Sequence, residues 1–337
     1  MVKKLLHSRE LTAFVFIILM FLIVGLINPA FLTPANIWLC LNSSVVYTVV
    51  AVGIAFVIIT GEIDVSVGAT LGITAALSGS MIRDGHPWSV AIVCALLVGL
   101  FIGAINGAGV TFFKIPSIIM TLGINSIVRG MVYVYTDGKW VENIPFQFKG
   151  LAQERLFDTV TWFYLGVVLL IIAMHFFLTR TKKGRYFSAV GDNEGGATLL
   201  GIPVMGTKFC AFMLCGLFSA IGGVLFVSRV GFVTPIAGNG YEMKVIAACV
   251  LGGISLTGGV GSVIGAGVGA AIMASISRVL IFVGLSSDYD DTITGILLII
   301  IVVSDALLRR RSVEKARRER LAAKTIEERG GAHSAEA

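Results

Sequence analysis

From residue 11 to residue 307 the sequence is a train of apolar runs, most of them close to the roughly 20 residues that carry a helix across a bilayer. About ten can be marked, near 11–28, 44–60, 64–82, 89–111, 116–136, 161–178, 209–229, 243–257, 261–284 and 291–307. In lipid every backbone polar group must find its partner inside the protein, so such runs become helices. The fold class this predicts is an all-α integral membrane protein with about ten transmembrane helices. Only Gly61, Glu62 and Ile63 separate the second run from the third, and the eighth is short, so the count lies between nine and eleven. Composition agrees: 56% of the 337 residues are hydrophobic and 14% charged, whereas soluble domains carry about 25% charged residues.

Charge sets the orientation. The excess of basic residues gives a formal net charge of +6, but the cations form no groove-like pattern, so nucleic acid is not expected as a partner. Lys3, Lys4 and Arg9 precede the first run; Arg180, Lys182, Lys183, Arg185 and Lys208 lie between the sixth and seventh; nine more lie from Arg309 onward. With ten crossings these groups and Lys114 share one side, and they are 18 of the 26 cations. Five lie on the other side (Arg83, Lys139, Lys149, Arg155, Arg229), and Arg129, Lys244 and Arg278 fall within runs or at their ends. The positive-inside rule then places both termini in the cytoplasm. Residues 1–311 read as one polytopic domain with a basic cytoplasmic loop at 179–208, followed by a charged cytoplasmic tail at 312–337. The first run has no small-residue cleavage site after it and reads as a retained span.

Small residues say how the helices pack. Gly99, Gly103 and Gly107 share one helix face, as do Gly261, Gly265 and Gly269. Such stripes let backbones approach closely, and could also form a sliding seam. They fall in the fourth and ninth runs, which hints at an inverted five-plus-five repeat. The five cysteines lie in or beside apolar runs without paired spacing and read as buried, reduced thiols.

Catalytic patterns are missing from the sequence. There is no phosphate-cradling G-x-x-x-x-G-K-[ST] loop; the four histidines are scattered without metal-ligand spacing; no Ser/His/Asp grouping stands out. Neither a cofactor nor a metal is expected in this chain, and an enzyme is a poor reading. Four polar residues are candidates for a translocation pathway. Glu62 and Asp64 flank the break between two runs, either in a tight turn at the cytoplasmic surface or in a broken helix lining a pathway. Asn106 and Asn125 lie within runs, where they bond neighbouring helices or touch a solute.

Residues 184–203, GRYFSAVGDNEGGATLLGIP, are the most informative. Asp192 or Asn193 can cap a helix, Glu194 suits its first turn, and Gly201 can end it before Pro203. The expected helix has about two turns, with Ala197, Leu199 and Leu200 as an exposed apolar face. An isolated helix of that length is marginal, so it needs either a partner or the membrane surface to lie on.

At these residues a resemblance becomes specific. The chain resembles the permease subunits of bacterial ABC importers for ribose and similar sugars over roughly residues 10–310. The motifs are GEIDVSVG at 61–68, KIP at 114–116 followed by TLG at 121–123, GR at 184–185 running through GDNE at 191–194 to GI at 201–202, and EMKVIAACVLGGIS at 242–255 running on to Gly258 and Gly259. Within that family GKWVENIP at 138–145 and GDN at 191–193 look most like the autoinducer-2 permeases, with rhamnose-type permeases close by. The resemblance implies that 192–201 is the coupling helix that docks on a cytoplasmic ATPase, with Asp192, Asn193, Glu194, Ala197, Leu200 and Gly201 at the contact. It implies three protein partners: the ATPase subunit, which binds the ATP; a second permease subunit; and a periplasmic solute-binding protein. It implies residence in the bacterial inner membrane and alternating access driven by the ATPases. The rival from another class is an ion-gradient-coupled carrier, for which Glu62 and Asp64 are the only acidic candidates.

Overall fold

The computed structural model describes residues 9–156, 160–300 and 302–303. Lys3, Lys4, the end of the expected last span and the charged tail lie outside the described residues. The elements run in order as helices α1 (Arg9–Ile27), α2 (Pro34–Ser43), α3 (Val45–Ile59), α4 (Val67–Arg83), α5 (Trp88–Thr111), α6 (Ser117–Thr136) and α7 (Phe146–Gln153). There follow a two-stranded antiparallel pair, β1 (Arg155–Leu156) with β2 (Val160–Thr161), then α8 (Trp162–Arg180), α9 (Lys182–Asp192), α10 (Glu194–Leu199), α11 (Val204–Val230), α12 (Tyr241–Leu251) and α13 (Val263–Val283). A last helix, α14, begins at 290 and is helical through 300.

The mostly helical expectation holds, but the apolar runs do not become uniform spans. Among the described residues α5, α6, α8, α11 and α13 are long and apolar enough to cross a membrane singly, and α2 with α3 makes a sixth if their 41° bend lies within one span. That bend sits where Ser43 Oγ donates to Leu39 O and Ser44 Oγ donates to Leu41 O, both at 2.7 Å, pulling carbonyls out of the helical ladder. The run expected at 243–257 is helical only to Leu251. Gly253 at φ +88° turns the chain there, and irregular backbone continues to Ser262.

α3 is the centre of the bundle. It is apolar all round, and every one of its residues except Tyr47 is buried; such a helix has no face for solvent. α11 packs on α5, α3 and α4, and α13 packs on α12 and α3. The glycine stripes make close contacts, except that Gly261 lies before α13, so only Gly265 and Gly269 of that stripe share a helix face. A Cβ on Gly99 of α5 would sit 2.5 Å from the carbonyl oxygen of Gly216 on α11, so the two backbones touch. Outward rows such as Val93, Leu97 and Phe101 on α5 and Leu169, Ile172 and Phe176 on α8 are exposed, as a lipid-facing surface requires. Cys40, Cys215 and Cys249 are buried; Cys210 is exposed on the isolated chain.

The connection after α6 folds over one end of the bundle. There Val141 bridges Val233, Phe148 of α7 is buried, and Ser228 Oγ donates to Phe148 O at 2.7 Å. α8 leads from β2 at that end to α9 and α10 at the other.

Candidate functional site

α9 starts with Thr181, whose Oγ1 accepts the Gly184 N–H at 2.9 Å. Its Gly184, Phe187 and Val190 recur every three residues, share one face and are buried. Phe187 meets the Phe56 ring of α3 edge-on, 5.1 Å between centroids. The chain then turns extended at Asn193, whose Oδ1 accepts the Gly196 N–H at 2.9 Å and starts α10. Gly201, at φ +72°, ends it: the Gly201 N–H donates to Thr198 O and the Ile202 N–H donates to Ala197 O, each at 3.0 Å. Glu194 occupies the first turn, where a negative charge suits the helix dipole.

Two breaks in the bundle meet this hairpin of short helices. Gly259, at φ +78° in the irregular segment after α12, donates its N–H to Ile59 O at the end of α3 at 2.9 Å. Gly191 of α9 lies against both: a Cβ there would come within 2.5 Å of Gly259 N and collide with Ile59 O. A fourth strand of the junction is electrostatic. Lys208 Nζ, on α11, donates to Glu62 Oε1 at 2.7 Å and also to Glu194 Oε1. One ammonium therefore ties the break after α3 to α10.

Beyond Glu62 the chain does not return to helix until Val67, and free backbone groups there are taken up by side chains from α6. The Ile63 N–H donates to Ser117 Oγ (3.2 Å) and the Val65 N–H to Thr121 Oγ1 (3.1 Å). Asp64, 2% exposed, accepts at Oδ1 from the Ser66 N–H (2.8 Å) and the Ser66 hydroxyl (2.7 Å), and Asn106 Nδ2 donates to Ser66 Oγ at 2.8 Å. Non-helical backbone inside a membrane protein survives only where protein or water satisfies it, and here protein does.

Residues 36–302 match the family described as branched-chain amino acid transport system / permease component. The chain belongs to this permease family. Among curated relatives it is 37% identical over 322 residues to the autoinducer 2 import system permease protein LsrC of Escherichia coli O9:H4 (strain HS), covering 96% of this chain and 94% of that one. It is 40% identical over 307 residues to LsrC of Enterobacter sp. (strain 638), covering 91% and 89%. Against LsrC of Yersinia pseudotuberculosis serotype O:1b (strain IP 31758) the identity is 37% over 329 residues, covering 97% and 93%. No solved structure matches the chain.

In this multi-pass permease the residues singled out from sequence fall into three places. Asp192 ends α9, while Asn193, Glu194, Ala197, Leu200 and Gly201 lie in or next to α10, and Asn193 rather than Asp192 is its cap. Ala197 is not on the outer face: it is 3% exposed and points into the chain, while Leu199 and Leu200 are 90% and 80% exposed. Glu62 joins the Lys208 junction. Asp64 and Asn106 together hold the start of α4, so Asp64 is not in a surface turn. Asn125 stands apart on α6, its buried Oδ1 without a hydrogen-bond partner. Three features escaped the sequence reading: α9, the double contact of Lys208, and Arg129. Arg129 and Lys244 were visible only as lone cations within apolar runs, which is itself a signal of function or pairing.

Proposed function

We propose that this permease carries a small hydroxyl-rich solute of the autoinducer-2 kind into the cytoplasm as the membrane subunit of an ABC importer. The observation that carries the solute class is length: the relatives whose names state autoinducer 2 import match over 89–94% of their own chains. The energy enters through α10, capped at both ends, with Leu199 and Leu200 turned outward where a separate ATPase subunit would bury them. A short helix in a partner's groove is a general mode of docking. The junction of Gly191, Ile59, Gly259 and Lys208 carries the motion of α10 into the breaks after α3 and α12. A second permease subunit and a periplasmic binding protein complete the importer.

Counting α1, α2 with α3, α4, α5, α6, α8, α11, α12, α13 and α14 as crossings gives ten, with both termini in the cytoplasm and α7 outside. Split into fives, α4 and α12 take the same place in each half, and each follows a non-helical segment, 60–66 and 231–240. That match supports the inverted repeat.

Reconstitution in liposomes tests the reading. With the ATPase and binding-protein subunits, ATP-dependent uptake of autoinducer-2 should exceed uptake of rhamnose, ribose and leucine. Uptake by this chain alone, driven by an ion gradient, would overturn it.

A further inference from the structure

The segment between α11 and α12 turns back into the bundle instead of staying at its end. Gly238, at φ +76°, packs against Gly68 in the first turn of α4. Gly68 lies 15 residues from the Arg83 end of α4, about 22 Å along its axis. α12 then starts at that depth and runs only 11 residues, about 16 Å. It is a half-helix whose N-terminus opens inside the membrane. Arg129 of α6 holds the segment there. Its Nη1 donates to Ala237 O at 3.1 Å and its Nη2 to Gly238 O at 2.9 Å, with Glu242 Oε2 3.5 Å from Nη2.

Ala237 and Gly238 of this deep segment are buried, but the chain leaves one side of it uncovered. Ile236 and Asn239 are exposed, as is Met243 one turn into α12. Irregular backbone cannot face lipid tails at that depth. The adjoining face of α6 points the same way. Gly123, Ser126, Gly130 and Tyr133 are exposed along it, and α6 is the least apolar of the five long helices yet one of the two least covered. A helix exposed to lipid would be among the most apolar. Glu242 is 8% exposed with its Oε2 lacking a hydrogen-bond partner, and Asn125 Oδ1, one turn before Arg129, is likewise unpartnered.

We infer that the α6 face around Ser126 and Arg129, with Asn239 and the start of α12, lines the water-filled solute pathway. Half-helix termini, an ion pair with spare acceptor capacity and a primary amide offer donors and acceptors together. That set suits a small neutral solute whose hydroxyls do both. The inference rests on the permease reading, and it moves the pathway from Glu62 and Asp64, whose carboxylates the chain itself pairs, and from Asn106, which is fully enclosed in the bundle, to Arg129, Glu242, Asn125 and Asn239.

Ser126→Cys and Asn239→Cys, each in a chain whose five native cysteines are replaced by Ala or Ser, test it in the assembled importer. The probe is a charged, membrane-impermeant methanethiosulfonate, applied to importers that retain ATP-driven uptake, with Leu169→Cys as the lipid-facing control. Both test cysteines should react while Leu169→Cys does not, and reaction should block uptake. Saturating autoinducer-2 should slow the reaction at Asn239→Cys several-fold. If both test positions are as inert as Leu169→Cys, the face is dry and the inference falls. Reaction without protection or inhibition overturns the solute contact. Loss of ATP-driven uptake in the unmodified importer counts against the permease's solute, a separate result.

Discussion

Lys208 Nζ stands 2.7 Å from Glu62 Oε1, across 146 residues of sequence, and also contacts Glu194. Both Lys208 and Glu62 are mostly covered, with side chains 12% and 17% exposed. Removing one partner of such a pair leaves a charge poorly solvated and costs about 1–3 kcal/mol, between the exposed and fully buried limits. Lys208→Met should reduce uptake and solute-stimulated ATP hydrolysis while the chain still reaches the membrane. Glu62→Gln and Glu194→Gln should each do less, and together should match Lys208→Met. Equal uptake by all of these variants would show that the bridge transmits nothing.

The outward leucines and the inward alanine of α10 separate docking from folding. Leu199→Ala with Leu200→Ala should weaken capture of the ATPase subunit in detergent and leave the thermal stability of the isolated permease within about 0.5 kcal/mol, as surface changes do. Ala197→Asp should do the reverse. It places a carboxylate where the chain has no room, at a cost of several kcal/mol in the worst case, and lowers the permease's own melting temperature.

Gly191 lies where only a hydrogen fits. Gly191→Val should destabilise the isolated permease by about 1–3 kcal/mol, the range for overpacking, read as a drop in melting temperature. Gly195→Ala, where the nearest atom to a new Cβ is 3.4 Å away, should be silent in the same assay.

Asp64 distinguishes a turn-holding carboxylate from a proton site. Asn keeps an acceptor oxygen for Ser66, so Asp64→Asn should retain uptake. Asp64→Ala should cost about 1–3 kcal/mol of stability, because it leaves the buried Ser66 donors without their acceptor. Uptake abolished by Asp64→Asn in a stable chain would mean that ionisation matters, and would favour a proton-coupled mechanism.

Topology is checked by labelling. Lys149→Cys should react with an impermeant thiol reagent from the periplasmic side and Lys182→Cys only from the cytoplasmic side. The opposite pattern would invert the orientation.

The sequence made some of this legible and hid the rest for physical reasons. α10 was readable because its cap at Asn193 and its stop at Gly201 are local signals. Which side of α10 faces in was not, because Ala197 is turned inward by docking on α9 and α11 rather than by anything in its own turn. The run at 243–257 looked continuous because Gly252 and Gly253 are common in membrane helices; only the close approach of α13 shows that the helix stops. Arg129 was legible as a lone charge and Lys208 as one cation of a basic loop, but Glu62 lies 146 residues from Lys208, and the carbonyls that hold Arg129 lie more than 100 residues from it.

The brevity of α12 has a consequence for how the chain is made. Eleven residues cannot serve as a stable insertion signal by themselves, since a translocon admits segments largely on the summed apolarity of about 20 residues. By the time α12 leaves the ribosome, α6 and its Arg129 have long been synthesised. The segment leading into α12 is therefore held by a guanidinium already present in the earlier part of the protein, and Arg129→Leu should yield a chain in which α11 and α13 are inserted but the segment between them is open to protease during synthesis.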